Sequence, residues 1–373
     1  MNSKTRLPLS SALGCLALIA LVGLVAIGFI LRTGDALLPG ATPPTGTPAP
    51  AVLPVTAAPP WIQVYFTRPK NPDDGVRSGG VDEIVAASID GAQKTLDVVT
   101  FEFDSQRLAA ALIAAHLRGV RVRFVMDGEN ADTDAYRRIE FAGIPTVTDN
   151  RNAFTHSKFI VIDGQHVWTG SWNLKDSDTY RNDNNLILIE SPELAENYTR
   201  EFEEMFVHKR FGGRKTATTP HPQVTIQGVL IENYFSPRDQ VATHLIQTIR
   251  GAQRSIRFLA FSFTSDSIAK AMLDRARAGV SVAGVFETRG ADTSASEYSR
   301  MKRAGLDVRL DGNPFTMHHK VIIIDESLVI TGSYNFSAQA DDSNDENVLI
   351  IHSPEIAALY LAEFERVYGQ AKP

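Results

Sequence analysis

The chain has 373 residues, of which 43% are hydrophobic and 21% are charged. These values are typical of folded proteins, so they exclude a wholly disordered chain, and the length allows about two domains. The single cysteine, Cys15, lies in an apolar N-terminal stretch, so the rest of the chain has neither a disulfide framework nor a thiolate zinc site. The net charge of −6 argues against a general binder of nucleic acids or anionic membranes.

The N-terminal region contains an apolar run at residues 13–31 that carries no charge and follows Lys4 and Arg6. At about 1.5 Å per residue, this run nearly spans a hydrocarbon core of roughly 30 Å. It predicts a transmembrane anchor, with a cleaved signal peptide as the alternative. The basic residues place positions 1–12 in the cytoplasm and the bulk of the chain outside. Residues 32–60 are rich in proline and predict an extended linker.

The rest of the chain repeats itself. Gly91-Ala-Gln aligns with Gly251-Ala-Gln at an offset of 160 residues, and further matches extend to both ends. We therefore expect two copies of one domain, at 61–210 and 223–373, joined by a Gly- and Pro-containing linker at 211–222.

Within each copy, strand-like and helix-like segments alternate. In the first copy the pattern predicts a strand, a helix, a strand and a helix at 96–103, 105–118, 120–126 and 134–141. In the second copy the equivalent segments are 256–263, 265–278, 280–286 and 294–304. A third short strand, a histidine-bearing hairpin and a final helix complete each copy. The order predicts an α/β fold in which each lobe is a mixed, mostly parallel sheet flanked by helices.

Two motifs with identical internal spacing are the strongest signal. They are His156-x-Lys158-x4-Asp163-x6-Gly170-Ser171-x-Asn173 and His318-x-Lys320-x4-Asp325-x6-Gly332-Ser333-x-Asn335. Twelve residues after each motif another asparagine follows, Asn185 and Asn347. Side chains two apart on a strand share a face, so each histidine should lie beside its own lysine. The aspartates are an odd number of residues away, which favours a turn or packing role for Asp163 and Asp325.

Paired histidines, lysines and carboxamides suit the chemistry of a phosphodiester. Lysine and asparagine can hold its oxygens by charge and hydrogen bonds. One neutral imidazole can attack to form a phosphohistidine, and the other can protonate the leaving alcohol and then activate water. This set requires no metal and no cofactor. The two serines, Ser171 and Ser333, lack a Ser-His-Asp spacing and are expected to position an imidazole or the phosphate.

Both copies resemble the HKD motif, HxKxxxxDxxxxxxGSxN, of the phospholipase D superfamily, and the resemblance covers nearly all of residues 61–373. It implies two lobes packed about a pseudo-twofold axis, with one site formed by His156, Lys158, Asn173, His318, Lys320 and Asn335. A single chain then holds both half-sites, so a monomer is sufficient. The openings Tyr65-Phe66 and Tyr234-Phe235 also resemble the compact bacterial, cardiolipin-hydrolase-like and nuclease-like branch.

One departure from the family pattern concerns the residue before the last asparagine. The family often places an acid there to hold a catalytic imidazole; the second copy has Glu346, whereas the first has Asn184. Only one histidine is therefore expected to gain a carboxylate partner, and the sequence leaves open which one. Family analogy favours His156 as nucleophile and His318 as acid.

Three functions remain open at this stage. The anchor and the acidic fold favour a hydrolase of membrane phospholipids. The compact branch and the basic stretches at 118–123 and 250–257 favour a metal-independent nuclease. The third is a membrane-tethered protein that binds phosphate without turnover, and the completeness of both motifs argues against it. We rank the lipid hydrolase first and the nuclease second.

Overall fold

Two mixed sheets, one from each half of the chain, form the framework of the protein. The computed structural model describes residues 59–372. The predicted anchor at 13–31, and all but the end of the predicted linker at 32–60, lie outside the described residues. Within the described part, no helix combines the length and the apolar character needed to cross a bilayer.

The first lobe contains a seven-stranded sheet. Its strands are β1 (Ile62–Phe66), β2 (Thr95–Thr100), β3 (Arg121–Met126), β4 (Thr146–Thr148), β5 (Phe159–Ile162), β6 (His166–Gly170) and β7 (Asn185–Glu190). Its helices are α1 (Val81–Gly91), α2 (Gln106–Leu117), α3 (Asp134–Phe141), α4 (Asp176–Tyr180) and α5 (Pro192–Phe206), with a 3₁₀ turn at Gly128–Asn130. Across the sheet the order is β1-β7-β6-β5-β2-β3-β4.

The second lobe repeats this topology and adds one edge strand. Its strands are β8 (Gln223–Ile226), β9 (Val229–Ser236), β10 (Ser255–Ala260), β11 (Ser281–Phe286), β12 (Asp307–Leu310), β13 (Lys320–Ile324), β14 (Leu328–Gly332) and β15 (Glu346–His352). Its helices are α6 (Val241–Gly251), α7 (Asp266–Arg277), α8 (Tyr298–Arg303), α9 (Ala338–Asp342) and α10 (Pro354–Gln370). A 3₁₀ turn at Gly212–Arg214 lies between the lobes in sequence.

Two sequence-based expectations are wrong in detail. The sheets are mixed but not mostly parallel, because only β2-β3-β4 and β10-β11-β12 pair in parallel. The strand that follows each motif histidine, β5 or β13, runs antiparallel to β2 or β10, and the short turn after it can join only antiparallel strands. The helix predicted at 294–304 begins only at Tyr298, since Ser296 and its neighbours form turns before it.

The core between the lobes is built on α5 and α10. Tyr198 and Phe202 of α5, together with Tyr360 and Phe364 of α10, pack against the inner faces of both sheets. The other helices cover the outer faces, where each lobe has its own apolar cluster. The lobes therefore share one continuous core, which fixes the position of one half-site relative to the other.

The segment predicted as a linker, 211–222, packs into the lobe interface. Gly212 N donates to Asp345 Oδ1 at 2.8 Å. The Lys215 side chain is fully buried and pairs with Asp345 of the second lobe, at 2.7 Å, and with Glu201 of the first. The buried charge of Lys215, in the segment between the two lobes, thus joins them.

Replacing Lys215 with methionine is expected to lower the free energy of unfolding by about 3–5 kcal/mol, because two buried carboxylates lose their shared cation. Urea unfolding followed by circular dichroism measures this change. The matched control is Lys270→Met, since Lys270 pairs with Asp274 in an exposed position; its effect should stay within about 0.5 kcal/mol. Equal effects of the two substitutions would contradict a stabilising role for the buried cluster.

Candidate active site

The two predicted histidines lie where the lobes meet, just before β5 and β13. The His156 N–H donates to the carbonyl of Asp345 at 2.9 Å, and the His318 N–H donates to the carbonyl of Asp183 at 2.8 Å. The residue before each histidine forms a β-bridge with the opposite lobe. Each histidine backbone is therefore held by the other lobe, and the structure brings both motifs to one interface.

The side-chain partners of the histidines also cross between lobes. His156 Nδ1 lies 2.7 Å from Glu346 Oε2, and His318 Nδ1 lies 2.9 Å from Asn184 Oδ1. The carboxylate of Asp178 comes within only 3.9 Å of His318 Nδ1, beyond hydrogen-bonding distance. Glu346 thus serves His156, which answers the question that the sequence left open.

The serines of the motifs hold these partners in place. Ser171 Oγ donates to Asn184 Oδ1 at 2.8 Å, and Ser333 Oγ donates to Glu346 Oε2 at 2.6 Å. The Asn184 Nδ2 donates to a backbone carbonyl, so its Oδ1 is the atom that faces His318. An amide oxygen accepts a hydrogen, which places the proton of neutral His318 on Nδ1 and leaves Nε2 for substrate.

The glycine of each motif permits this close packing. Gly170 has φ +147° and Gly332 has φ +145°, and a Cβ at either position would meet the carbonyl oxygen of Asn185 or Asn347 at 2.2 Å. Only glycine fits between β6 and β7, or between β14 and β15, at this approach. The approach lets the following serine N–H bond to the same carbonyl, which aims the serine at its partner.

The two lysines lie buried next to their histidines. Lys158 Nζ donates to the His156 carbonyl and Lys320 Nζ to the His318 carbonyl, both at 2.7 Å. Burial lowers the pKa of Lys158 to about 8. Burial and the neighbouring Lys158 lower the pKa of Lys320 well below its usual value. Two buried ammonium groups of like charge produce a site that favours an anion.

This environment favours the neutral form of both imidazoles. Burial lowers the pKa of His156 to about 4, although Glu346 acts in the opposite direction. Burial, followed by the charges of Lys320 and Lys158, lowers the pKa of His318 well below its usual value. A bound phosphodiester anion would offset the lysine charges and raise both pKa values.

The predicted asparagines divide into two groups. The Oδ1 atoms of Asn173 and Asn335 have no hydrogen-bond partner within residues 59–372, and Asn173 Nδ2 lies 3.2 Å from Glu102 Oε2. Asn185 Nδ2 instead contacts His319 Nδ1 at 3.1 Å across the interface. Asn347 Oδ1 accepts the Lys158 N–H at 3.3 Å. The first two thus keep a buried amide oxygen that is unpaired among the described residues, whereas the second two join the lobes.

The motif aspartates lie at the opposite ends of their strands from the histidines. Asp163 accepts three backbone N–H groups from the segment 93–95, at 2.7–2.9 Å. Asp325 accepts the equivalent three from 253–255. Both adopt positive φ in the turn between strands. Their contacts are those of turn residues, as the strand spacing indicated.

Sequence reasoning missed residues that occur in only one copy. Asp178 accepts the Asn173 N–H at 2.9 Å, and burial raises the pKa of its carboxyl. Glu102 also forms an ion pair with Lys175 at 2.8 Å. In the second copy, Ala340, Ser262 and Ser337 occupy the positions of Asp178, Glu102 and Lys175. A search for residues that recur in both copies therefore could not find these three. In the described part of the chain, no cluster of three or more His, Cys, Asp or Glu side chains could hold a metal ion.

Comparison with known proteins agrees with this geometry. The family model described as "Cardiolipin synthase, PLD-like domain" matches twice, at residues 85–206 and 245–368, once in each lobe. The chain belongs to the phospholipase D-like family. A phosphatidylserine synthase structure from Haemophilus influenzae has the same overall fold, with a TM-score of 0.61 over 82% of this chain and 88% of that one, at 13% identity.

Curated members of the phospholipase D-like family match one part of the chain. A mitochondrial cardiolipin hydrolase of Xenopus laevis is 36% identical over 135 residues, which are 36% of this chain and 64% of that protein. The human mitochondrial cardiolipin hydrolase is 34% identical over 36% of this chain and 54% of its own length. A phospholipase D of Rickettsia bellii is 32% identical over 39% of this chain and 76% of its own length. The chain thus spans less than two thirds of the two cardiolipin hydrolases.

Proposed function

We propose that the protein is a metal-independent phosphodiesterase that hydrolyses the head-group phosphodiester of phospholipids. The observation that carries this proposal is the crossed pair of histidines, in which His156 bonds to Glu346 and His318 to Asn184, with Lys158 beside one and Lys320 beside the other. The unequal partners support unequal roles. A carboxylate stabilises positive charge on the His156 ring, as a nucleophile requires, whereas an amide does not.

In the first step, neutral His156 attacks phosphorus through Nε2. The bound phosphodiester raises the pKa of His318, which takes a proton from solvent on binding. The bond from phosphorus to the head-group oxygen breaks, and that oxygen takes the Nε2 proton of cationic His318. Lys158 and Lys320 hold the phosphoryl oxygens, and Glu346 stabilises the positive charge that His156 gains. The products are the free head-group alcohol and a phosphohistidine that carries the lipid.

In the second step, water attacks the phosphohistidine. Neutral His318 takes a proton from that water, the bond between phosphorus and His156 breaks, and phosphatidic acid leaves. His318 thereby regains the proton that it gave up in the first step, so both histidines are again in the protonation states in which that step began. The cycle consumes only water besides the lipid, and the His, Lys and Glu side chains of this chain supply every other group that the two steps use.

The proposed substrate and location rest on the N-terminal sequence and on the relatives. The apolar run at 13–31 supports a membrane anchor with the two lobes outside the cytoplasm. The names of the curated relatives, cardiolipin hydrolase and phospholipase D, support a lipid phosphodiester. Because one chain contains both half-sites, a monomer would suffice.

In excess EDTA, we expect the purified full-length chain in detergent micelles to release head groups from mixed phospholipids and to leave single-stranded and duplex nucleic acid intact. Chromatography of head groups and gel analysis of the nucleic acid measure the two outcomes in parallel. The His156→Ala variant, prepared identically, controls for contaminating activity. Strand cleavage with intact lipid would instead establish a nuclease, and activity that EDTA abolishes and zinc restores would contradict the histidine mechanism.

A further inference from the structure

Two buried carboxyl groups lie behind the His318 half of the site. Glu287 follows β11 and Asp311 follows β12, and their exposed fractions are 3% and 2%. Glu287 Oε2 accepts the N–H of Met317, the residue before His318, at 2.7 Å. Asp311 Oδ2 accepts the N–H of Thr288 at 3.0 Å. Glu287 therefore supports the backbone from which His318 projects, and Asp311 supports the residue that follows Glu287.

The first lobe has the same pair but adds a guanidinium. There, Asp127 accepts the N–H of Thr155, the residue before His156, at 2.9 Å. Its neighbour Asp149 is bonded by Arg151, with the Nη2 nitrogen at 2.9 Å, and by the Thr155 hydroxyl at 2.7 Å. By the repeat alignment, Asn313 occupies the position of Arg151 in the second lobe. The second pair thus lacks the adjacent cation of the first.

The charged groups around Glu287 do not replace that cation. Arg289, on the same loop, approaches to 3.6 Å but is 63% exposed. Arg366 of α10 pairs with Asp183 and Glu363 rather than with the Glu287–Asp311 pair. Asp183 is bonded by Asn313 Nδ2 at 2.7 Å and adds another negative charge nearby. Lys320 of β13 is the buried lysine next to the pair, since its Nζ donates to the carbonyl of His318 and the N–H of the residue before His318 donates to Glu287.

Two carboxyls in this setting cannot both be ionised easily. Burial, together with the charge of Asp311, raises the pKa of Glu287 to about 7. Burial also raises the pKa of Asp311, although backbone N–H donors oppose the change. Burial raises the pKa of Asp127 in the first lobe as well, so the distinguishing feature of the second is the neutral Asn313.

We propose that Glu287, which lies with Asp311 in one buried cluster, is a positioning residue, and that loss of its proton switches the Lys320 half of the site to its more active form. This inference rests on the proposed phosphodiesterase function. An ionised Glu287 favours the cationic form of Lys320, which is the form that holds a phosphoryl oxygen in the proposed reaction. A protonated Glu287 withdraws this support.

The test is the pH dependence of kcat/KM between pH 5 and 9 for the full-length protein. The wild type should gain activity as pH rises, with a midpoint near 7. Asn313→Arg, which restores the first-lobe arrangement, should move that midpoint down by about one pH unit or more. Glu287→Gln should remove the rise, and Glu326→Gln, at an exposed position of the same lobe, should leave it unchanged.

Thermal unfolding against pH provides a readout that does not need activity. A carboxyl with a raised pKa in the folded state contributes stability below its unfolded pKa and loses it as pH rises through about 7. The Tm of the wild type should therefore fall relative to those of Glu287→Gln and Asp311→Asn between about pH 5 and pH 8. Active protein with superimposable pH profiles in all variants would overturn the inference. So would a Tm difference that is constant with pH, whereas absence of all turnover would count against the proposed function alone.

Discussion

Replacing His156 with alanine is expected to reduce kcat by a factor of about 10⁴ or more, because the reaction loses its nucleophile. The fold should persist, since the His156 backbone bond to the opposite lobe remains. The measurement is head-group release at saturating substrate. Wild type denatured in detergent at alkaline pH during turnover should also carry phosphorus on histidine, and the His156→Ala protein should not.

The His318→Ala variant tests the other role. Loss of the general acid should lower kcat for ordinary lipids by about 10²–10⁴-fold. A substrate whose leaving group is a weakly basic phenol needs no proton, so it should recover much of the first step and let the phosphohistidine accumulate. The control for both variants is His352→Ala, because His352 is partly exposed and bonds to Glu232 outside the site. Recovery by His156→Ala instead of His318→Ala would reverse the assigned roles.

Replacing Glu346 with glutamine is expected to lower kcat by about 10²–10³-fold while KM changes little. An amide oxygen can still accept from His156 Nδ1 and from the Ser333 hydroxyl, so the geometry is kept and only the charge is lost. Since the carboxylate acts to raise the pKa of His156, its removal keeps that ring neutral at still lower pH. No change of pH should therefore restore the rate.

The matched variant is Asn184→Asp, which gives His318 the carboxylate that His156 already has. It should raise the pKa of His318 and extend activity toward higher pH, because His318, the general acid, then keeps its proton up to a higher pH. Profiles measured on lipid vesicles between pH 5 and 9 compare the two variants. If Glu346→Gln were as active as the wild type, the carboxylate would have no part in the chemistry, and the assignment of His156 as nucleophile would lose its support.

The doubled motif predicted much of the site because repetition makes chance agreement improbable. The helix–strand alternation predicted the lobes and most element bounds, and the structure brings the residues of both motifs to one interface. The sheet direction could not be read in the same way, because a strand shows its side-chain period but not the direction of its neighbour. The hairpin after each motif lysine made the sheets more antiparallel than predicted.

The contacts between the lobes could not be predicted from the sequence, for a different reason. Nothing local to Glu346 shows that it bonds to a histidine 190 residues earlier. Lys215 shows the same limit, since a lysine in a Gly- and Pro-containing stretch has the pattern of an exposed linker. Its burial depends on Glu201 and Asp345, which only the folded arrangement places around it.

The crossed bonding has a consequence for how such a site can arise. In a symmetric dimer of one lobe, both histidines would meet the same residue, either two glutamates or two asparagines, because every contact occurs twice. Joining the copies in one chain removes that identity and allows each position to change alone. The Glu346 and Asn184 difference is a change of this kind, and a single chain can therefore give two chemically equal rings different partners.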